Sequence, residues 1–125
     1  MLTIVRNVVL GCLIVGVSFY ATLRTLDYFN NPCRQPAAFT LSKPFGRIAV
    51  TGNGYFTTIV GVASSKSPVL CEDGWPLGPA KVADHEINSI GQGRYGFDNN
   101  IIKFSASNNS DPNVNNRIYT IVTAP

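Results

Sequence analysis

Histidine occurs once in the 125 residues, at position 85, and cysteine three times, at positions 12, 33 and 71. With no C-x-x-C and no H-x-x-x-H spacing among them, a zinc site has too few ligands in reach. Charge is scarce too: Asp, Glu, Lys and Arg make up 14% of the chain. From Tyr28 onward eight Lys/Arg face six Asp/Glu, a net of +2, with no basic run and no basic residues interleaved with aromatics, which argues against a nucleic-acid partner. There is no G-x-S-x-G elbow, and Gly52-Asn53-Gly54 and Gly91-Gln92-Gly93 are too short to cradle phosphate. These absences leave no expected cofactor, no expected metal and no expected catalytic residue. No repeat of solenoid period occurs, and the Asn-rich stretch 108–116 is the single biased segment.

Charge is missing altogether between Arg6 and Arg24, where 17 uncharged residues run NVVLGCLIVGVSFYATL. As a helix rising about 1.5 Å per residue they cover roughly 26 Å, enough for a bilayer core if the flanking arginines snorkel. A cleaved signal peptide is the competing reading, but Ser18-Phe19-Tyr20-Ala21 places aromatics where a signal peptidase needs small residues. Val9-Leu10-Gly11-Cys12 imitates a lipoprotein box with too short an apolar run before it. Residues 1–25 therefore read as a retained transmembrane anchor, in contact with the lipid bilayer. Gly11, Cys12 and Gly16 form a stripe of small residues on which another helix can pack closely.

Cys33 and Cys71 are the thiols outside that helix, and an even pair in a domain this small suits one disulfide in an oxidising compartment; two separate buried thiols are the alternative. The positive-inside bias is weak, so the cysteines carry the orientation: a single-pass protein of a bacterial inner membrane with its C-terminal domain in the periplasm.

Residues 26–38 contain Asn and Pro punctuation and no apolar periodicity, and read as a juxtamembrane linker with Tyr28 and Phe29 at headgroup level. From 39 to 125 short β-type runs alternate with turn residues. A hairpin is expected from 47–51 and 55–63 around Gly52-Asn53-Gly54, followed by strands at 68–73, 100–105 and 117–123. One short helix is expected after Asp84, capped by that residue, with Ile87 and Ile90 on one face and Gly91 as its stop. The fold class that follows is mainly β, a small antiparallel β-sandwich or open barrel with one short helix, preceded by the single N-terminal transmembrane helix.

Three functional constellations merit weighing. Asp111, Asn113 and Asn115 have the D-x-N-x-N spacing of a calcium loop, but Asn116 replaces its glycine and Val122 stands where a bidentate Glu is needed, so turn chemistry is the better reading. His85 would need a serine such as Ser89, Ser105 or Ser107 brought to it, and Asp84 cannot orient it from the adjacent position on a helix. Trp75, Tyr95, Phe97 and Tyr119 near Asn, Asp and Arg groups fit a glycan-binding surface, although each ring fits a core equally well.

The segments Glu72-Asp73-Gly74-Trp75-Pro76-Leu77-Gly78-Pro79, His85-Glu86-Ile87 through Gly91-Gln92-Gly93-Arg94-Tyr95, and Phe104-Ser105-Ala106-Ser107-Asn108-Asn109-Ser110-Asp111-Pro112 with Asn116-Arg117 and Tyr119 carry a resemblance. In order and spacing they resemble a small uncharacterised bacterial module of pattern EDGxPLG, HxxI, GxGR(Y/F), FSxSDNSDPxxNGRxY, often associated with enzymes of polysaccharide or glycolipid assembly. The chain departs from it at Asn108-Asn109, at Asn115-Asn116 and at Gly96-Phe97-Asp98. Physically these residues read as scaffold. Trp75 has the area to plug one end of a sandwich, and Arg94 and Arg117 can fork across loop carbonyls or a carboxylate such as Asp73 or Asp111. The expected function is that of a non-catalytic accessory or docking subunit of an integral membrane protein complex, with a glycan-binding module of an envelope polysaccharide system as the alternative.

Overall fold

The computed structural model describes residues 2–36, 39–61 and 67–123 and divides into two compact units, residues 1–31 and 32–125.

The first unit is one helix, α1, Leu2–Phe29. The helix continues four residues past the expected anchor boundary, and Asn30 N still donates to Leu26 O at 3.0 Å. Within it Val8–Leu26 is long and apolar enough to cross a membrane, and none of that window is buried. Two of its threonines bond back to the helix: Thr22 Oγ1 donates to Ser18 O at 2.9 Å, and Thr25 Oγ1 to Ala21 O at 3.2 Å. The Arg24 guanidinium donates to the Tyr20 hydroxyl at 2.7 and 3.0 Å, one turn back. Such internal pairing lowers the cost of polar groups in an apolar medium.

The second unit opens with a 3-10 turn, Pro32–Arg34, so the segment expected as a linker is helical up to Phe29 and folded again from Pro32. Among the described residues eight short strands follow: β1 Phe39–Thr40, β2 Gly46–Arg47, β3 Tyr55–Thr58, β4 Pro68–Glu72, β5 Trp75–Pro76, β6 Tyr95–Asp98, β7 Ile101–Phe104 and β8 Tyr119–Thr123. A short helix, α2 Asp84–Ser89, lies between β5 and β6. They build two antiparallel four-stranded sheets, ordered β1-β8-β4-β5 and β2-β3-β7-β6. The mainly-β expectation holds at that level.

The two sheets share one core. Alternation on β7 turns Ile102 and Phe104 inward and Lys103 outward; β8 supplies Tyr119 and Ile121, and β4 supplies Leu70. Phe45, from the loop after β1, meets Phe104 edge-on at 5.1 Å and Tyr119 at 5.8 Å, so one aromatic cluster joins a strand of each sheet. Removing a ring from such a cluster costs about 3–5 kcal/mol.

Several elements differ from the sequence reading. The first hairpin exists, with Arg47 opposite Tyr55, but β2 stops there and residues 48–54 form a wide loop; Val62 and Ala63 of the expected partner strand lie outside the described residues. Asp84 does not cap α2. Ala83 holds the cap position without a side-chain bond, and Asp84 lies in the first turn, where it accepts from Lys103 Nζ at 2.6 Å and holds that ammonium above its ordinary range. Ile87 is fully buried whereas Ile90, at the C-cap, is 43% exposed, so of the two only Ile87 is buried; Gly91 does end the helix, at φ +67. A Cβ on Gly91 would run into the Asn109 side-chain amide. Strand β6 was not anticipated.

Candidate functional site

Asp73 and Gly74 have φ of +51 and +80, the conformation of a two-residue hairpin turn with both central residues left-handed. That turn joins β4 to β5 and sets Glu72 opposite Trp75 on one side and opposite Tyr119 on the other. Glu72, only 7% exposed, becomes the centre of a polar cluster. Its Oε1 accepts from Ser107 Oγ at 2.5 Å and from Arg117 Nη1; its Oε2 accepts from Ser107 N at 3.1 Å and from the Tyr119 hydroxyl at 3.0 Å. Arg117 Nη1 also donates to Ser107 Oγ at 2.8 Å. Asn115 Nδ2 donates to the Tyr119 hydroxyl at 2.9 Å and to Ser110 Oγ at 3.0 Å, and its Oδ1 accepts from Arg117 N at 3.1 Å.

Burial raises the Tyr119 pKa well above the ordinary tyrosine value; Asn115 opposes the shift and the Glu72 charge adds to it. The phenol therefore stays a donor. A carboxylate holding four donors, a serine whose hydroxyl is spent on that carboxylate and an arginine locked to both form a brace between the β4–β5 turn and the 105–118 loop. Arg117 is expected to fork across loop carbonyls or a carboxylate such as Asp73 or Asp111; the carboxylate it takes is Glu72. Asp73 Oδ1 accepts from Ile118 N at 2.9 Å, and Asp111 pairs with Arg47 at 3.6 Å.

The three residues with calcium-loop spacing separate. Asp111 Oδ1 accepts from Asn113 N at 2.9 Å. The Asn113 amide pairs with both backbone groups of Phe45, accepting from its N at 2.7 Å and donating to its O at 3.2 Å. Asn115 serves the brace. Asn109 and Asn88 do similar work: Asn109 Nδ2 donates to Ile90 O at 3.0 Å, and Asn88 Nδ2 donates to Thr51 O at 3.1 Å. Side-chain amides thus replace strand pairing where the loops carry none.

His85 is 80% exposed in its side chain, near Glu86 at 4.0 Å. Ser105 is buried and its hydroxyl donates to Arg94 O at 3.4 Å, while Ser107 belongs to Glu72, so neither is brought to His85. Arg94 Nη1 donates to Gly91 O at 3.1 Å, and its Nε is buried with no hydrogen-bond partner among the described residues.

Of the four rings weighed as a glycan surface, Tyr95 and Tyr119 are buried in the core and Phe97 packs against it, edge-on to Tyr95 at 5.8 Å. Trp75 does the opposite of what was expected: instead of plugging the core it is 54% exposed on the edge strand β5, with the Arg34 guanidinium 5.7 Å from its ring centroid. Cys33 and Cys71 are bonded, with their Cα atoms 5.9 Å apart, which fastens the 3-10 turn to β4 and fits an oxidising compartment. On α1, Gly11, Cys12 and Gly16 line a shallow groove with Val8, Val15 and Phe19.

Comparison of the chain with protein-family models, with curated proteins and with solved structures finds no match in any of the three.

Proposed function

We propose that the protein is a single-pass accessory subunit, held in a bacterial inner membrane by α1, whose periplasmic β-rich unit docks onto a larger membrane protein complex without catalysing a reaction. The observation that carries this reading is the Glu72 brace. The most reactive-looking constellation of the chain has its acceptors and donors engaged with one another, which leaves it a stiffener of a surface. The span and the disulfide support the membrane and the compartment. The groove at Gly11, Cys12 and Gly16 supplies a face on which a partner helix can approach. Affinity purification from detergent-solubilised native membranes tests it: a stoichiometric integral membrane partner is expected, and Gly16→Leu should weaken its recovery while leaving the protein in the membrane.

The exposed ring of Trp75 favours a second reading, a tethered glycan-binding module of an envelope polysaccharide system, in line with the resemblance to modules found beside such enzymes. Glycan binding by the full-length protein in detergent, lost in Trp75→Ala with thermal stability retained, would decide for it.

A further inference from the structure

We infer that Trp75, with Arg34 over its ring, seats the β-rich unit on the phospholipid headgroups of the bilayer that α1 enters, an inference that rests on the anchor reading above. Little chain separates the apolar segment from this pair. The window ending at Leu26 is followed by three more helical residues, to Phe29. Three extended steps from Phe29 to Pro32 and two steps of the 3-10 turn bring the chain to Arg34, a path of about 15 Å at most. The Cys33–Cys71 bond fixes that turn to β4, whose neighbour β5 carries Trp75. The exposed indole therefore sits on the strand beside the one to which the start of this unit is bonded.

The chemistry of the pair suits that place. An indole has an apolar body and one N–H donor, the combination that collects at the membrane–water interface. A guanidinium stacked on a ring keeps its positive charge, which suits an anionic headgroup layer. A sugar platform is a poorer match, because Arg34 already covers one face of the ring and the carboxylates at this turn, Glu72 and Asp73, are engaged by the brace and by Ile118 N.

Trp75 is the single tryptophan of the chain, so its fluorescence reports this position alone. The full-length protein is reconstituted into phosphatidylcholine–phosphatidylglycerol vesicles, with and without lipids brominated near the top of the acyl chains, and insertion is verified by flotation. In floating vesicles the emission should be blue-shifted from that of water-exposed tryptophan, and bromolipid should remove roughly half of it, as for a ring at the interface. Red, unquenched emission in vesicles that float overturns the proposal, as does a Trp75 signal that answers to added glycan and not to bromolipid. Protein that fails to float contradicts the anchor reading, and this inference with it.

Discussion

Arg117 and Glu72, 45 residues apart in sequence, form an ion pair in which the glutamate side chain is 7% and the arginine 27% exposed. Arg117 lies just ahead of β8 and Glu72 ends β4, so the pair closes the long loop over one end of the two inner strands of the first sheet. Glu72→Gln should lower unfolding stability by about 2–4 kcal/mol in denaturant titration, because it strands an arginine and a buried tyrosine hydroxyl that had a charged acceptor. A loss within a few tenths of a kcal/mol would show that the brace is ornamental.

The disulfide closes a loop of 38 residues' separation. Nonreducing mass spectrometry of protein from its own membrane should find Cys33 joined to Cys71. On chain-entropy grounds the Cys33→Ser/Cys71→Ser variant should be less stable by about 3–4 kcal/mol. Two free thiols in native protein would remove both the bond and the compartment assignment.

Asn113 stands in for a strand at Phe45, making two hydrogen bonds to that residue's backbone. Asn113→Ala should cost about 2 kcal/mol by leaving a partly buried N–H and C=O unmatched. Because the side chains of the 111–115 loop are spent internally, calcium or a chelator should leave the thermal midpoint unchanged. A calcium-dependent rise would restore the ion-binding reading.

Tyr55, Tyr95 and Tyr119 have pKa values raised above the ordinary 10.0, in each case chiefly by burial. A raised folded-state pKa contributes stability that is fully present below the unfolded value and is lost as pH rises through the folded one. Stability should therefore be insensitive to these phenols below pH 10 and fall above it. Phenolate absorbance should appear late and together with loss of tertiary signal. Early, uncoupled ionisation of all five tyrosines would contradict the buried placement.

What was legible in the sequence follows from what is local. The uncharged run after Arg6 announces α1, and strands with β-branched alternation, such as residues 101–104 and 119–123, announce themselves. The Asp73-Gly74 hairpin turn is also there to be read, since Asp-Gly favours two consecutive left-handed residues, although the expected strand 68–73 is given no partner directly after it. Strand β6 was hidden because Gly96 interrupts its side-chain pattern, and the strand accepts glycine where a Cβ would meet Val82 O at 2.8 Å. The Glu72 pairing was not legible because Asp73 and Asp111 are equally plausible partners for Arg117 in sequence, and only the strand register places Glu72 opposite Tyr119. Trp75 was misplaced for a related reason: area makes a tryptophan a good plug, but only topology says that β5 is an edge.

The central claim, a membrane-held docking subunit, is tested most directly by native mass spectrometry of the complex released by mild detergent from native membranes. The account predicts a chain that still carries its apolar segment 8–26, bound in fixed stoichiometry to at least one integral membrane protein. A solitary chain, or one cleaved after the apolar segment and found free of membrane, would contradict it.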